Sequence, residues 1–319
     1  MDKELESFVT AINKSFGTGS VTRMGDDQSK DITQEELKDR IHTGLRELDW
    51  ATGGGLVKGV MHEIFGNEGE GKTTLAIHCM VNAQKEDPNL QIFFCDAEHT
   101  LNVEYAVNLG LDRSRVVISY PDFGEQGLDI IQQAVESGLF GMVVIDSVTA
   151  LVPKADIDGD FTDANMGAHA RLMSKMCRVL TPLIDRHNVC LVLINQIRMK
   201  IGVFMGSPET TTGGKGIRFY AGMRMRVSSS LVDKDDPKEK MVTVDFKKQK
   251  WGTPYRKIEL KLTLGKGFDL GYDALCWAVR EKKITQKSSA YYYEGEYIGS
   301  GKAQASIGLL KILEEESNG

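Results

Sequence analysis

The residues Gly66-Asn67-Glu68-Gly69-Glu70-Gly71-Lys72-Thr73-Thr74 follow the spacing G-x-x-x-x-G-K-T, the pattern of a phosphate-binding loop. Glycines let the backbone curl so that its N–H groups face an anion with no Cβ in the way. A following helix adds unpaired N–H groups and the positive end of its dipole. In that setting Lys72 reaches the β- and γ-phosphates of a nucleoside triphosphate and the Thr73 hydroxyl ligates Mg²⁺. The flanks suit this chemistry. Val60–Phe65 reads as a buried strand, and Leu75, Ala76, Cys79, Met80 and Ala83 recur behind the loop at helical spacing.

Three further polar residues stand at the ends of apolar runs. Gly141–Ser147 is a buried-strand pattern ending at Asp146, the Walker B form, from which Asp146 can hold Mg²⁺ through water or through Thr73. The strand Asn89–Cys95 leads to Glu98, suited to orienting and deprotonating a water. Val189–Ile194 leads to Gln196, suited to a γ-phosphate. Strand-end capping is the plainer alternative for each. Strands at 115–119 and helical stretches at 103–110, 128–137 and 164–187 alternate with these runs. That alternation implies a parallel, doubly wound sheet whose ligands sit beyond the carboxyl ends of its strands.

The chain has 319 residues, 41% of them hydrophobic and 26% charged, enough for one large domain or two to three small ones. There is no apolar run of membrane-spanning length, so no membrane partner is expected, and Met1-Asp2-Lys3-Glu4 does not open a signal peptide. The 5 cysteines are widely separated with no C-x-x-C, which suits reduced core thiols in a cytoplasmic protein. A net charge of −6 argues mildly against nucleic acid, although totals hide distribution.

Leu5, Phe8, Val9, Ile12 and Phe16 form one stripe of a helix over residues 2–16. It either folds back on its own core or docks on a neighbouring subunit. A linker follows, with a short extended piece around Ser20–Met24. Thr33-Gln34-Glu35-Glu36 resembles a capping box opening a helix towards Arg40. Arg171, Lys175 and Arg178 share one helical face, a spacing equally compatible with a solvated surface and with DNA. Strands at 242–246 and 258–264 are joined through the basic run Lys247–Lys250, more often a solvated face than a site. Beyond Gly271 comes a small α/β piece: a 272–283 helix, a Tyr-rich hairpin at 291–297 and a 302–314 helix.

At Asn195–Gly202 and Pro208–Gly214 the sequence resembles the second DNA-binding loop of bacterial RecA recombinases. The resemblance extends over nearly the whole chain. Asp96-Ala97-Glu98-His99 is similar to the strand bearing that family's catalytic glutamate. Met166-Gly167, behind the polar stretch 156–165, is similar to its first DNA-binding loop. Phe16–Ser20 is similar to the segment that docks on the neighbouring protomer. The resemblance implies an α/β RecA-type P-loop ATPase core with a mostly parallel central sheet, an N-terminal helix-strand arm and a small α/β C-terminal domain. The expected boundaries are 1–36, 37–271 and 272–319.

The resemblance also implies roles. Glu98 activates water, Tyr105 stacks on adenine, and Gln196 couples the γ-phosphate to the DNA loop. Phe219 lies at the protomer interface, and Lys248 and Lys250 reach the neighbour's ATP. DNA falls to Met166, Gly167, Arg171, Arg178, Arg198, Met199, Lys200, Ile201, Gly213 and Gly214, with Met199, Ile201 and Phe204 able to wedge between bases. ATP and Mg²⁺ are the implied cofactors. Single- and double-stranded DNA, a homo-oligomeric helical filament, and a loader or single-strand-binding protein are the implied partners. Departures include Phe204-Met205, Lys215, Asn102, a long segment between Lys30 and Gly44, and a short acidic tail at Glu314–Glu316. They mark a divergent member, for which phage origin and a host cytoplasm are one reading. The expected function is ATP-dependent homologous pairing and strand exchange with DNA-stimulated ATP hydrolysis. The alternatives are a ring-forming RecA-fold helicase and a non-hydrolysing, ATP-switched DNA-binding mediator.

Overall fold

The structure, a computed structural model, describes residues 2–23, 39–159, 167–199, 209–252 and 255–318. The chain divides into two compact units, Met1–Asp39 and Arg40–Gly319.

In the first unit the helix Asp2–Phe16 forms as its periodicity requires, with Leu5, Phe8 and Phe16 exposed. The Asn13 side chain donates to the Val21 carbonyl at 2.8 Å and accepts from the Val21 amide at 3.0 Å. The chain turns after Gly17, and no strand is paired over residues 20–23 of the short extended piece expected around Ser20–Met24, the last of which lies outside the described residues. The helix expected from Thr33 lies outside the described residues.

The second unit is built on a large sheet. In chain order its elements begin β1 (Arg40–Ile41), β2 (Leu56–Val57), β3 (Met61–Gly66), β4 (Gln91–Asp96), β5 (Val116–Ser119), β6 (Phe140–Asp146), β7 (Cys190–Met199) and β8 (Glu209–Thr211). They continue with β9 (Met223–Leu231), β10 (Glu239–Gln249), β11 (Lys257–Thr263), β12 (Gly267–Phe268), β13 (Ile284–Lys287), β14 (Ala290–Tyr293) and β15 (Glu296–Ser300). The sheet runs β12-β11-β10-β9-β3-β7-β6-β4-β5, with β8 on the outer end of β7. From β9 to β5 the pairings are parallel; from β9 to β12 they are antiparallel.

Central strands covered on both faces read as continuous apolar runs, and every residue of β3 is buried. Alternation divides the side chains between two clusters. Ile92, Phe94, Met142 and Val144 pack with the P-loop helix Lys72–Glu86, whereas Phe93, Cys95, Val143 and Ile145 pack with the helices Gly124–Glu136 and Ala168–Arg186. The first of those two helices begins four residues before the expected Leu128. β7 runs five residues past Ile194, because β8 pairs antiparallel with its outer half.

The helices Leu270–Arg280 and Gly301–Asn318 and the sheet β13-β14-β15 enclose a separate small cluster that includes Leu275, Tyr293, Ile298 and Leu309. The attachment of this piece is polar. The helix Arg46–Thr52 has Leu45 at its N-cap, which supplies no side-chain bond. Asp273 supplies it instead, accepting from the amides of Arg46 at 2.6 Å and Glu47 at 3.1 Å. Arg280 pairs with Glu47, and the Trp50 ring lies between the guanidinium groups of Arg256 and Arg280, each 3.8 Å from its centroid. Contacts of this kind contribute about 0.5–1 kcal/mol when exposed and more when desolvated.

Burial, reinforced by the carboxylates of Glu47 and Asp49, outweighs the two amide bonds and pushes Asp273 up to about 7. Unfolded, the same group titrates near ~3.9. Folding therefore takes up a proton between those limits, so this group's contribution to stability is greatest in acid and declines as pH rises towards 7. In Asp273→Asn, the urea midpoint should depend less on pH between 5 and 8 than in the wild type, a difference that denaturant melts followed by circular dichroism would measure.

Candidate functional site

The carboxyl ends of β3, β4, β6 and β7 lie side by side, with Gly66 opposite Gln196 and Asp96 opposite Asp146. The Gly66 backbone passes so close to β9 that a Cβ there would sit 2.3 Å from the Val227 carbonyl oxygen. Gly71, with φ +94°, caps the P-loop helix in the left-handed region, which favours glycine. These two positions explain why the loop tolerates no larger residue at either end.

Lys72 is buried at the start of its helix and donates to the Asn67 carbonyl at 2.6 Å. Burial lowers its pKa, opposed by the negative charge of Asp146, Glu70, Glu98 and Glu68. The Thr73 hydroxyl donates to Asp146 Oδ2 at 2.7 Å. Burial pushes Asp146 up to about 6, against the lowering effect of the Thr73 bond. Such a carboxylate gains by meeting a cation, and Mg²⁺ needs only one or two protein oxygens beside phosphates and water. Thr73 and Asp146 together fit that role. Thr74 Oγ1 and the Tyr105 hydroxyl are 3.4 Å apart, which places the half-buried Tyr105 ring beside the loop.

Glu98 joins the group through two bonds. Its Oε1 accepts from Ser147 Oγ and, at 3.0 Å, from Gln196 Nε2. Lys72 and Thr73, at the start of the P-loop helix, therefore lie together with Glu98, Asp146 and Gln196, the three residues expected at strand ends. Ser147 is an addition that sequence reading missed; its only signal is its place one residue after Asp146.

The candidate DNA residues divide. Gly167 caps the helix Ala168–Arg186, and Arg171, Lys175 and Arg178 are exposed along it. The turn at Gly213 and Gly214 packs on that helix: Cβ atoms there would lie 2.8 Å from Met173 Cγ and 3.0 Å from Ala170 Cβ. The structure thus brings the start of this helix beside the end of the second loop. Arg198 and Met199 are exposed but belong to β7, paired with Thr210 and Glu209, and not to a free loop. Met166, Lys200, Ile201, Phe204 and Met205 lie outside the described residues.

The basic hairpin is engaged within its own chain. β10 carries an irregularity between Phe246 and Lys248, of the kind that re-aims a side chain. Lys248 Nζ donates to the Arg218 and Phe219 carbonyls at 2.9 and 2.8 Å, and burial together with nearby Lys250 lowers its pKa. Lys250 lies over Trp251, and Phe219 is 71% exposed on the short helix Gly216–Tyr220. None of these three is bonded to the chain's own phosphate loop. A cation that sequence reading overlooked is Lys240, which donates to the Gly69 carbonyl at 2.8 Å across 171 residues.

A model of the RecA N-terminal domain matches residues 3–269. Protein RecA of Syntrophus aciditrophicus is 44% identical over 306 residues, covering 94% of this chain and 86% of that protein. The chain belongs to the RecA family. Protein RecA of Mycobacteroides abscessus is 41% identical over 316 residues, covering 98% of this chain and 89% of its own length. A crystal structure of the RadB recombinase superposes with a TM-score of 0.56 at 21% identity, over 72% of this chain and 98% of that one. At that identity the likeness concerns the fold alone. Among the described residues of this RecA-family chain, no helix is long and apolar enough to cross a membrane.

Removing the buried cation should abolish chemistry at such a site. Lys72→Ala is expected to lose on the order of a hundredfold or more in ATP turnover, read in a phosphate-release assay with folding confirmed by circular dichroism. Lys240→Ala should weaken ATP binding only roughly threefold, because partly exposed charges contribute up to about 1 kcal/mol. The difference should shrink as salt is raised, which titration of a fluorescent ATP analogue would show.

Proposed function

We propose that this RecA-family chain is an ATP-dependent DNA recombinase. It polymerises on single-stranded DNA, pairs it with homologous duplex and exchanges strands, and DNA stimulates its hydrolysis of ATP. The observation that carries this reading is the 3.0 Å bond between Gln196 and Glu98. It ties the candidate water-activating carboxylate to a strand, β7, that continues to the exposed Met199 at the second loop. Nucleotide chemistry and DNA contact therefore share one rigid element.

Each residue has a stated task. The P-loop amides, Lys72 and the helix N-terminus hold the phosphates. Thr73 and Asp146 would hold Mg²⁺, which would supply neutralisation of phosphate charge when bound. Tyr105 flanks the base, and Glu98 accepts a proton from the attacking water. Gly167, Arg171, Arg178, Arg198 and the Gly213–Gly214 turn contact the DNA backbone; Met166 and Lys200 are assigned to DNA with them, and Met199 and Ile201 to wedging between bases. Lysines and arginines gripping phosphates need no sequence information, as a search for homology by base pairing requires. Phe219, Lys248 and Lys250 act between protomers of a helical filament. Lys248 leaves its carbonyl partners and Lys250 its indole when a neighbour's triphosphate arrives. Residues 1–36 are read as the oligomerisation arm, 37–271 as the ATPase core and 272–319 as the C-terminal domain, in a cytoplasmic protein assisted by a loader or single-strand-binding protein.

ATP turnover should rise on addition of single-stranded DNA, and electron microscopy with ATP and DNA should show helical filaments. Turnover indifferent to DNA, or closed rings alone, would refute the reading. Lys250→Ala should reduce the DNA-stimulated rate by about tenfold or more, the scale of a lost charge clamp. An unchanged rate would remove the role between protomers.

A further inference from the structure

Across the P-loop strand and its two neighbours runs a buried polar network that the proposed chemistry does not use. Glu63 on β3 is fully buried and accepts on both oxygens, from Arg224 Nε on β9 and from Asn195 Nδ2 at 2.8 Å. Asn195 is itself fully buried, and all its bonding capacity is taken. Nδ2 donates to Glu63 and to the Thr212 carbonyl at 3.1 Å, while Oδ1 accepts from the Gln196 amide at 2.8 Å and the Thr149 hydroxyl at 3.2 Å. Turning the amide over would oppose donor to donor and acceptor to carboxylate, so its orientation is set by its partners. Arg224 continues the network. It lies over the Phe65 ring at 4.7 Å and donates to Thr211 Oγ1 at 3.4 Å.

The placement of these bonds is informative. One end touches the backbone of Gln196, whose side chain meets Glu98. The other touches Thr211 and Thr212, where the chain returns from the second loop to the Gly213–Gly214 turn. Between the ends stands a buried ion pair, which is costly to disrupt by halves. A buried side chain satisfied in full, as that of Asn195 is, has few alternative arrangements, so a shift of Gln196 is met by a shift of residues 211–212.

We propose that Asn195, held by the Glu63–Arg224 pair, is a positioning residue that couples occupancy of the nucleotide site to the return stem of the second loop. The inference rests on the reading above, in which that stem and the adjoining helix contact DNA. Linkage makes the coupling reciprocal: DNA on the stem favours the arrangement of Gln196 that accompanies ATP.

The test is the ratio of single-stranded DNA affinities in a slowly hydrolysed ATP analogue and in ADP, read by fluorescence anisotropy of a labelled oligonucleotide. Asn195→Asp keeps the shape but sets a carboxylate against Glu63 and the Thr212 carbonyl. The ratio should fall about tenfold while nucleotide affinity changes less than about threefold, within the range of coupled sites. Thr211→Val, which alters only the far end, should lower the ratio about threefold and serves if the first variant does not fold. The exchange Glu63→Gln with Asn195→Asp restores a complementary pair and conserves charge, and should recover at least half of the lost ratio. A ratio kept in the folded single variants, or no recovery in the exchange, overturns the inference while the proposed function stands. A wild-type ratio of one overturns both.

Discussion

Asp96, Glu98 and Asp146 meet at the carboxyl edge of a parallel sheet with Lys72 as the nearby cation, and the cost of holding that charge out of water governs the structure around it. Lone buried carboxylates are expensive, so each is given partners. Asp96 accepts from the amides of Thr100 and Leu101, both at 3.1 Å. Asp146 takes the Thr73 hydroxyl, and Glu98 takes Ser147 and Gln196. Asp146 is still pushed up to about 6. The site is thus left short of positive charge, the condition in which a divalent cation is welcome, and its polar groups are already aimed before a ligand arrives.

That preorganisation depends on the sheet being anchored well away from the site. β3 owes its position to β7 on one side and β9 on the other, and β9 in turn carries the antiparallel half through β10 to β12. The last of these strands reaches back to the P-loop helix: the Phe268 amide donates to His78 Nε2 at 3.1 Å, which requires a neutral imidazole, and burial pushes His78 down to about 4. The P-loop helix is consequently fixed at its middle by a residue just ahead of the C-terminal piece. The Trp50 sandwich and the Asp273 cap fasten that piece to the same unit.

Contiguous features were legible in the sequence, and the partners assembled by register were not. The P-loop, Asp146 and Gln196 each sit in a local pattern whose period and punctuation identify them, so their convergence followed once the sheet was taken as parallel. β9 was not identified, although Met223, Met225 and Val227 alternate with Arg224 and Arg226 as a strand requires; what the sequence does not show is that Glu63 and Glu209 stand opposite those two arginines. Glu63 and Arg224 are 161 residues apart, and Asp273 caps a helix 227 residues away. Pairings at such distance are set by strand order and register, which no local window contains. Arg198 and Met199 were read as loop residues for the same reason: only the partner strand β8 converts that segment into an extension of β7.

This extension also changes how the site can be connected to DNA. A flexible loop beginning at Gln196 would absorb a small displacement within a residue or two. Here Ile197, Arg198 and Met199 pair with Thr211, Thr210 and Glu209, and Arg226 grips Glu209 through two bonds of 2.8 and 2.6 Å. Both stems of the second loop are therefore one hairpin continuous with a core strand. Packed, hydrogen-bonded elements shift between discrete arrangements in preference to deforming gradually. A change of contact at Glu98 would accordingly be carried along β7 to the hairpin as a whole, and the Gly213–Gly214 turn, seated on the helix that bears Arg171 and Arg178, would pass it to the remaining cations.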